Sequence, residues 1–469
     1  MQPREPTRSE SRDPADLAES ADLGATSAGP DAARARMASE LRQRGHALSP
    51  SVQDAFATVP RHVFVPEIGP AAAYRDEALV IKCGPDGLPI SSSSQPAMMA
   101  IMLDQLGLQR GHRVLEIGTG SGYNAAVMSA VVGPDGEVVT IDIDPELVAR
   151  ARASLQAAGA DAVRVYCADG GYGDPADAPF DRIIVTAGAW DIAPAWLDQL
   201  VPGGRLVLPL SIRGIQLCVG LERLSGGWLS ASACRCGFVR MLGEFAGPEE
   251  VIRRDEPSAI VFQISDGSPV DVHALTAALS GEATDESVPV ALTSMAELAD
   301  LDLWLTMMAG RLDRLTVLAA PRDILAPAPP PFGGLISSGT DEKRLGVGML
   351  LPVGEANDQP EAETEFDLAD GEPPAPERGA ARVSEAPEPL ASTGWTAAII
   401  RGLGPGGPEL AARLAALSRR WDQLGRPGAR EIEVVVWPAG EEPSRVPADR
   451  LVLRRPSVTI AAGWPVSSR

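Results

Sequence analysis

The chain has 469 residues, enough for two or three domains with cores of their own, and 45% of them are hydrophobic. A formal net charge of -22 makes a surface that repels nucleic acid phosphates and anionic lipid, which argues against both as partners. No apolar run reaches the roughly 18 residues that a membrane-spanning helix needs. Five scattered cysteines, an odd number, argue against a disulfide framework and for a reducing, cytoplasmic setting. Cys234 and Cys236 form a C-x-C pair, but no second pair or neighbouring histidine completes a metal site, so both read as small residues on a strand.

Residues 1–30 are polar and acidic, without the apolar segment of a secretory signal, and are expected to be disordered. A helix is expected from Asp31 to near Gly45, with Met37 and Leu41 on one face. Five strands follow, at 113–117, 137–142, 162–167, 181–186 and 204–210, separated by helical stretches such as Pro145–Gly159. Strands alternating with helices mean βαβ units and a parallel sheet. Three further strands at 216–223, 227–233 and 236–241, joined by short turns, read as an antiparallel edge of that sheet. Residues 31–247 therefore form a first domain, and an extension follows in two parts, 248–353 and 393–469. Between them, 354–392 is acidic and proline-rich with few apolar residues, and reads as a disordered linker. In the extension the sequence predicts a strand over 259–264, a helix over 295–315, a strand over 395–403, a helix over 408–424 and a strand over 431–437, an α/β or α+β pattern.

The chemistry concentrates at Val114-Leu115-Glu116-Ile117-Gly118-Thr119-Gly120-Ser121-Gly122-Tyr123. An apolar run, a glycine turn and a helix start in succession put helix amides at the end of a buried strand. A dinucleotide site would show G-x-G-x-x-G with pyrophosphate on the helix end. Here the spacing is G-x-G-x-G, and the carboxylate of Glu116 would repel a pyrophosphate. It suits a ligand carrying an ammonium and a sulfonium, such as S-adenosylmethionine. Ligands of open parallel sheets bind at the carboxyl ends of the strands, where two more acids stand: Asp142, placed for ribose hydroxyls, and Asp169, beside Gly170, placed for the adenine amino group. Asp144, just before Pro145, fits a helix cap better. The run Ser91–Ser94, ahead of Gln95-Pro96, reads as a serine-rich helix cap and also as a set of hydroxyls able to hold a polar acceptor.

Several stretches occur in the order and near the spacing of one family: Val59–Pro66, Ala73–Leu79, Ser94-Gln95-Pro96, Val114–Tyr123, Ala168-Asp169-Gly170, Ala178–Asp181 and Gln199–Leu206. Over 51–246 the chain resembles protein-L-isoaspartate O-methyltransferase. The resemblance implies a Rossmann-like S-adenosylmethionine-dependent methyltransferase domain that transfers a methyl group to an aspartyl or isoaspartyl carboxylate of a peptide or protein, with a succinimide to follow. It places the family's reactive-loop serine on Ser94, with Ser93 beside it. It places the family's motif glycines on Gly118 and Gly120 and its ribose-binding acid on Asp142; with the acids and glycine turn read above, the expected cofactor set is Glu116, Gly118, Thr119, Gly120, Gly122, Asp142, Asp169 and Gly170. Two departures stand out: Ser92-Ser93 replaces the usual Thr-Ile before Ser94, and Cys83–Pro89 lengthens the acceptor-side loop. With its long extension the chain also resembles homologues that methylate a chosen aspartate of a ribosomally made precursor peptide, an alternative to general repair. A non-catalytic, cofactor-binding regulator is the weaker reading, since the glycine turn and all three acids are present.

Overall fold

The computed structural model describes residues 29–465 except 86, 225, 255–259, 266–269, 280, 311, 320–331, 338–344, 355–394, 445 and 447–448. The N-terminal stretch and the acidic linker read from the sequence as disordered lie outside the described residues, save their last or first one or two positions.

The chain opens with helices α1 (Pro30–Gln43) and α2 (Pro50–Thr58). Each begins on proline, whose fixed φ and missing N–H suit the first helical position. Two short turns, α3 (Arg61–Phe64) and α4 (Pro70–Ala73), lead to an antiparallel hairpin of β1 (Leu79–Cys83) and β2 (Pro89–Ser93), so the lengthened loop is the hairpin's turn. Helix α5 (Pro96–Leu106) follows, and Gly107, at φ 62°, closes it.

The parallel core comes next: β3 (Arg113–Ile117), α6 (Tyr123–Val132), β4 (Glu137–Asp142), α7 (Pro145–Ala157), β5 (Arg164–Cys167), β6 (Phe180–Val185), α8 (Pro194–Asp198) and β7 (Leu200–Ile212). Val114, Leu115, Val139, Ile183 and Ile184 are fully buried, as continuous apolar strands covered on both faces should be. The strand order is β7-β6-β3-β4-β5, so the chain winds outward from β3 and then returns to its other side at β6. That reversal opens a crevice at the carboxyl ends of β3, β4 and β6.

Two antiparallel strands, β8 (Ile215–Leu224) and β9 (Gly227–Cys236), extend the sheet beyond β7. The third strand expected at 236–241 does not form. Cys236 already faces Gln216, next to the first residue of β8, so no partner remains beyond it. Instead residues 237–247 cross the strand ends as a strap. Gly188 donates to the Val239 carbonyl at 2.8 Å, and Met241 donates to the Gly188 carbonyl at 3.0 Å.

The extension contains β10 (Glu250–Arg254), β11 (Ile260–Ile264), α9 (Val272–Leu279), β12 (Ala283–Ser287), α10 (Met295–Met308), β13 (Leu312–Ala319), β14 (Phe332–Ser337), β15 (Gly346–Gly354), β16 (Trp395–Leu403) and α11 (Gly407–Gln423). Its seven strands are all antiparallel, in the order β10-β11-β13-β14-β15-β16-β12, which makes this part α+β. The helix expected over 295–315 stops at Met308, because Gly310 turns at φ 80° and the residues from Leu312 onward pair with β14. The chain then returns to the first sheet. β17 (Glu433–Pro438) pairs with β9, and β19 (Val458–Gly463) and β18 (Leu451–Arg454) follow outward to make ten strands. Val434, Val436, Ile460 and Ala462, with Leu303 and Met307 of α10, share one buried cluster with Leu208, Leu217 and Val219 of the parallel core's side of the sheet. The last segment thus completes the sheet that carries the crevice.

Candidate active site

An open cleft sits at the reversal point, where ligands of doubly wound sheets bind. Its floor is the glycine turn after β3. Gly118 has φ 99°, and a Cβ there would stand 2.6 Å from Thr186 Oγ1. That hydroxyl donates to the Gly118 carbonyl at 2.7 Å, fastening the turn to the end of β6. A side chain at 118 would meet both a strained backbone and an occupied space. Gly120 also lines the cleft, facing the backbone of Ser92 across it. Thr119, Ser121, Tyr123 and Asn124 continue the floor.

Glu116 ends up fully buried beneath this turn. Its carboxylate accepts from Thr140 Oγ1 at 2.6 Å and Asn124 Nδ2 at 2.7 Å. Burial pushes its carboxyl up to about 7, even though both hydrogen bonds favour the charged form. A buried carboxylate raised this far is stabilised by any cation that enters the cleft. Asn124 also lines the cleft, and its Oδ1 is buried without a hydrogen-bond partner among the described residues.

Asp142 closes β4 and lines the cleft. It accepts from the amides of Gly120 at 2.9 Å and Asp144 at 3.1 Å, one on each oxygen, which leaves lone pairs on both for a ligand hydroxyl pair. Burial raises its pKa, and the same two amides oppose the rise. Asp144 caps α7, accepting from Glu146 and Leu147, and it also takes Lys82 Nζ at 2.6 Å, tying the hairpin to the cleft's rim.

The opposite wall is the serine run. Ser91–Ser93 lie on β2, not in a helix cap as the sequence suggests; Gln95 caps α5 without a side-chain bond. Ser91, Ser92, Ser93 and Ser94 all line the cleft, and the Ser93 hydroxyl is buried without a partner among the described residues. One residue that sequence reasoning left without a role holds this wall in shape. Arg61 is fully buried and donates to five carbonyls, those of Ala73, Arg75, Glu77, Ser93 and Ser94, at 2.9–3.3 Å. Burial lowers its pKa to about 10, and its guanidinium lies over the Tyr123 ring.

Two candidate residues stand off the cleft. Asp169 caps a short turn by accepting from Gly171 at 2.9 Å, and its other oxygen accepts from Glu244 of the strap at 2.8 Å. Gly170, next to it, lines the cleft in its place. Gly122, at φ 86°, packs against Ala151 of α7. The strap supplies a wall that no motif announced: Val239, Arg240, Met241 and Leu242.

Residues 32–244 match the sequence profile of protein-L-isoaspartate(D-aspartate) O-methyltransferase. The chain is 42% identical over 221 residues to the protein-L-isoaspartate O-methyltransferase of Methanopyrus kandleri, 46% of this chain and 95% of that one. It is equally 42% identical over 215 residues to protein-L-isoaspartate O-methyltransferase 2 of Archaeoglobus fulgidus, again 46% of this chain and 95% of the other. It belongs to the protein-L-isoaspartate O-methyltransferase family. A solved protein-L-isoaspartate O-methyltransferase structure aligns over 86% of this chain and 96% of its own, with a TM-score of 0.44 and 21% identity. Membership makes the chain an S-adenosylmethionine-dependent O-methyltransferase, and the cleft is chemically suited to that cofactor. The glycine turn holds its left-handed backbone along the cleft, Glu116 favours positive charge, Asp142 keeps free lone pairs, and Asn124 and Ser93 carry unpaired buried atoms among the described residues.

Proposed function

We propose that this enzyme methylates an aspartyl or isoaspartyl carboxylate presented in a peptide, and that Ser94, with Ser93 beside it, orients the acceptor. The observation that carries this reading is the serine wall of β2 facing the glycine floor across an acid-lined cleft. S-adenosylmethionine supplies an electrophilic methyl group on a sulfonium. Glu116, Gly118, Thr119, Gly120, Asn124 and Asp142 would hold it, the acids taking its ammonium and ribose hydroxyls. The acceptor carboxylate is ionised at neutral pH and requires no general base. The protein's task is alignment, which contributes roughly 7–11 kcal/mol of barrier lowering in well-oriented reactions. Arg61 contributes by fixing the Ser93 and Ser94 carbonyls, which sets where their hydroxyls point. The backbone amide nitrogen of the next residue then attacks the ester carbonyl and gives up its proton as the C–OCH3 bond breaks, so methanol leaves and the succinimide closes with no further group from the enzyme.

A chosen peptide, in place of general repair of damaged proteins, is supported by how the extension meets the site. Arg455 stacks on Trp190 at 3.8 Å, and the Ser457 amide donates to Asp191 at 2.8 Å, so the last segment grips the loop that begins with cleft residues Thr186 and Ala187. Selection of one peptide requires such added surface. Methyl transfer to synthetic Asp and isoAsp peptides, followed by mass spectrometry, tests the reading. Ser94→Ala should slow transfer while S-adenosylhomocysteine affinity stays near wild type. Unchanged turnover in Ser94→Ala and in Ser93→Ala would overturn the acceptor assignment.

A further inference from the structure

The cleft poses an electrostatic problem for the reaction proposed above. Its charged lining consists of Glu116, Asp142, Asp144 and Arg240, three acids and one cation among the described residues. Of these charged groups only Arg240 attracts a carboxylate acceptor entering the space.

Arg240 is exposed and forms no ion pair among the described residues; its one hydrogen bond runs from Nη1 to the Glu249 carbonyl at 3.3 Å. Its backbone, by contrast, is held firmly. The flanking residues exchange hydrogen bonds with Gly188, and the Gln216 side chain donates to the Phe238 carbonyl at 3.0 Å and accepts from the Phe238 amide at 2.7 Å. A charged side chain without a carboxylate partner on an anchored strap is pre-organised for an anion from outside. Position separates it from the cofactor's acids. Asp142 ends β4 on one side of β3, whereas the strap is bridged to Gly188, just past β6 on the other side.

We propose that the Arg240 guanidinium receives the carboxylate of the acceptor residue and is a specificity-determining residue of the methyl transfer. This rests on the carboxyl-methylation reading. Esterification removes the acceptor's charge, so Arg240 grips the substrate and releases the product.

The test uses the full chain saturated with S-adenosylhomocysteine and two dansyl-labelled pentapeptides, Ala-Ala-isoAsp-Gly-Ala and its counterpart with the isoAsp carboxylate replaced by a carboxamide. Both are amidated at the C-terminus, so the acceptor carboxylate is the only charge on the first and absent from the second. Anisotropy titration of wild type should show the carboxylate peptide bound at least about tenfold tighter, the equivalent of 1.4 kcal/mol. Arg240→Ala should erase the preference, Arg240→Lys should restore most of it, and S-adenosylhomocysteine affinity should be unchanged in both. Three results each overturn the proposal: a wild type that does not discriminate, an Arg240→Ala protein that still does, or a lost preference accompanied by weakened S-adenosylhomocysteine binding, which would assign Arg240 to the cofactor. Absence of methyl transfer by wild type to any Asp or isoAsp peptide is a separate readout and refutes the carboxyl-methylation reading itself.

Discussion

Glu116 stores free energy against folding, which a cationic ligand bound in the cleft would recover. Its carboxyl is fully buried and raised from an ordinary 4.5 to about 7. Between those two values the folded protein holds a proton that the unfolded chain has already lost. Stability therefore falls as pH rises through that window, and the penalty is complete above about pH 7. At 1.36 kcal/mol for each pH unit, the gap corresponds to about 3 kcal/mol. Glu116→Gln keeps the shape and removes the charge. Its oxygen can still accept from Asn124, and its amide can donate to Thr140, whose own proton can turn to Thr119 Oγ1, 2.8 Å away. Without cofactor, the variant should be more stable than wild type by about 1–3 kcal/mol near pH 8, and the two should converge near pH 4.5. S-adenosylhomocysteine, with its ammonium, should bind the variant at least about tenfold more weakly near pH 8. Wild-type affinity should itself decline as pH falls below about 7, while that of Glu116→Gln stays flat. Urea melts at several pH values and calorimetric titration read both effects. A variant less stable than wild type near pH 8, or one that binds S-adenosylhomocysteine equally well, would refute the account of Glu116 as a buried charge held for a cationic ligand.

Arg61→Ala withdraws the donor from five carbonyls and should destabilise the protein by at least about 3 kcal/mol in denaturant melts, with methyl transfer impaired under conditions where the variant remains folded. A chain ending at residue 247 strips β17 from β9 and uncovers Trp228, Leu217 and Val219, so it should be insoluble or associated by size-exclusion chromatography; a monomer with a cooperative melt would show that the extension is dispensable to the fold.

How much of this was legible beforehand follows from the reach of the interactions. The strand, glycine turn and helix around Glu116–Tyr123 are settled by residues adjacent in sequence, because buried apolar runs, left-handed glycines and helix starts are local properties. The same holds for Asp142 at its strand end and for the Asp144 cap. The sequence also determined that β3 to β7 make a parallel sheet, since each strand is followed by its own helical or looped crossover.

Tertiary structure alone decided what depends on distant partners. Composition cannot say that Arg61 will find carbonyls 12 to 33 residues away, nor that Asp169 will spend its second oxygen on Glu244, 75 residues downstream. Residues 237–241 carry a plausible strand pattern, yet β8 has no backbone left to pair with them, and they become the strap that presents Arg240. The extension is the largest case. Glu433–Pro438 reads as a strand by its run of three β-branched valines, Val434–Val436, but which sheet edge it joins is not a local property. It docks on β9, where Val434 donates to the Ser230 hydroxyl across 204 residues of chain, because that edge offered an unpaired backbone beside an uncovered apolar face.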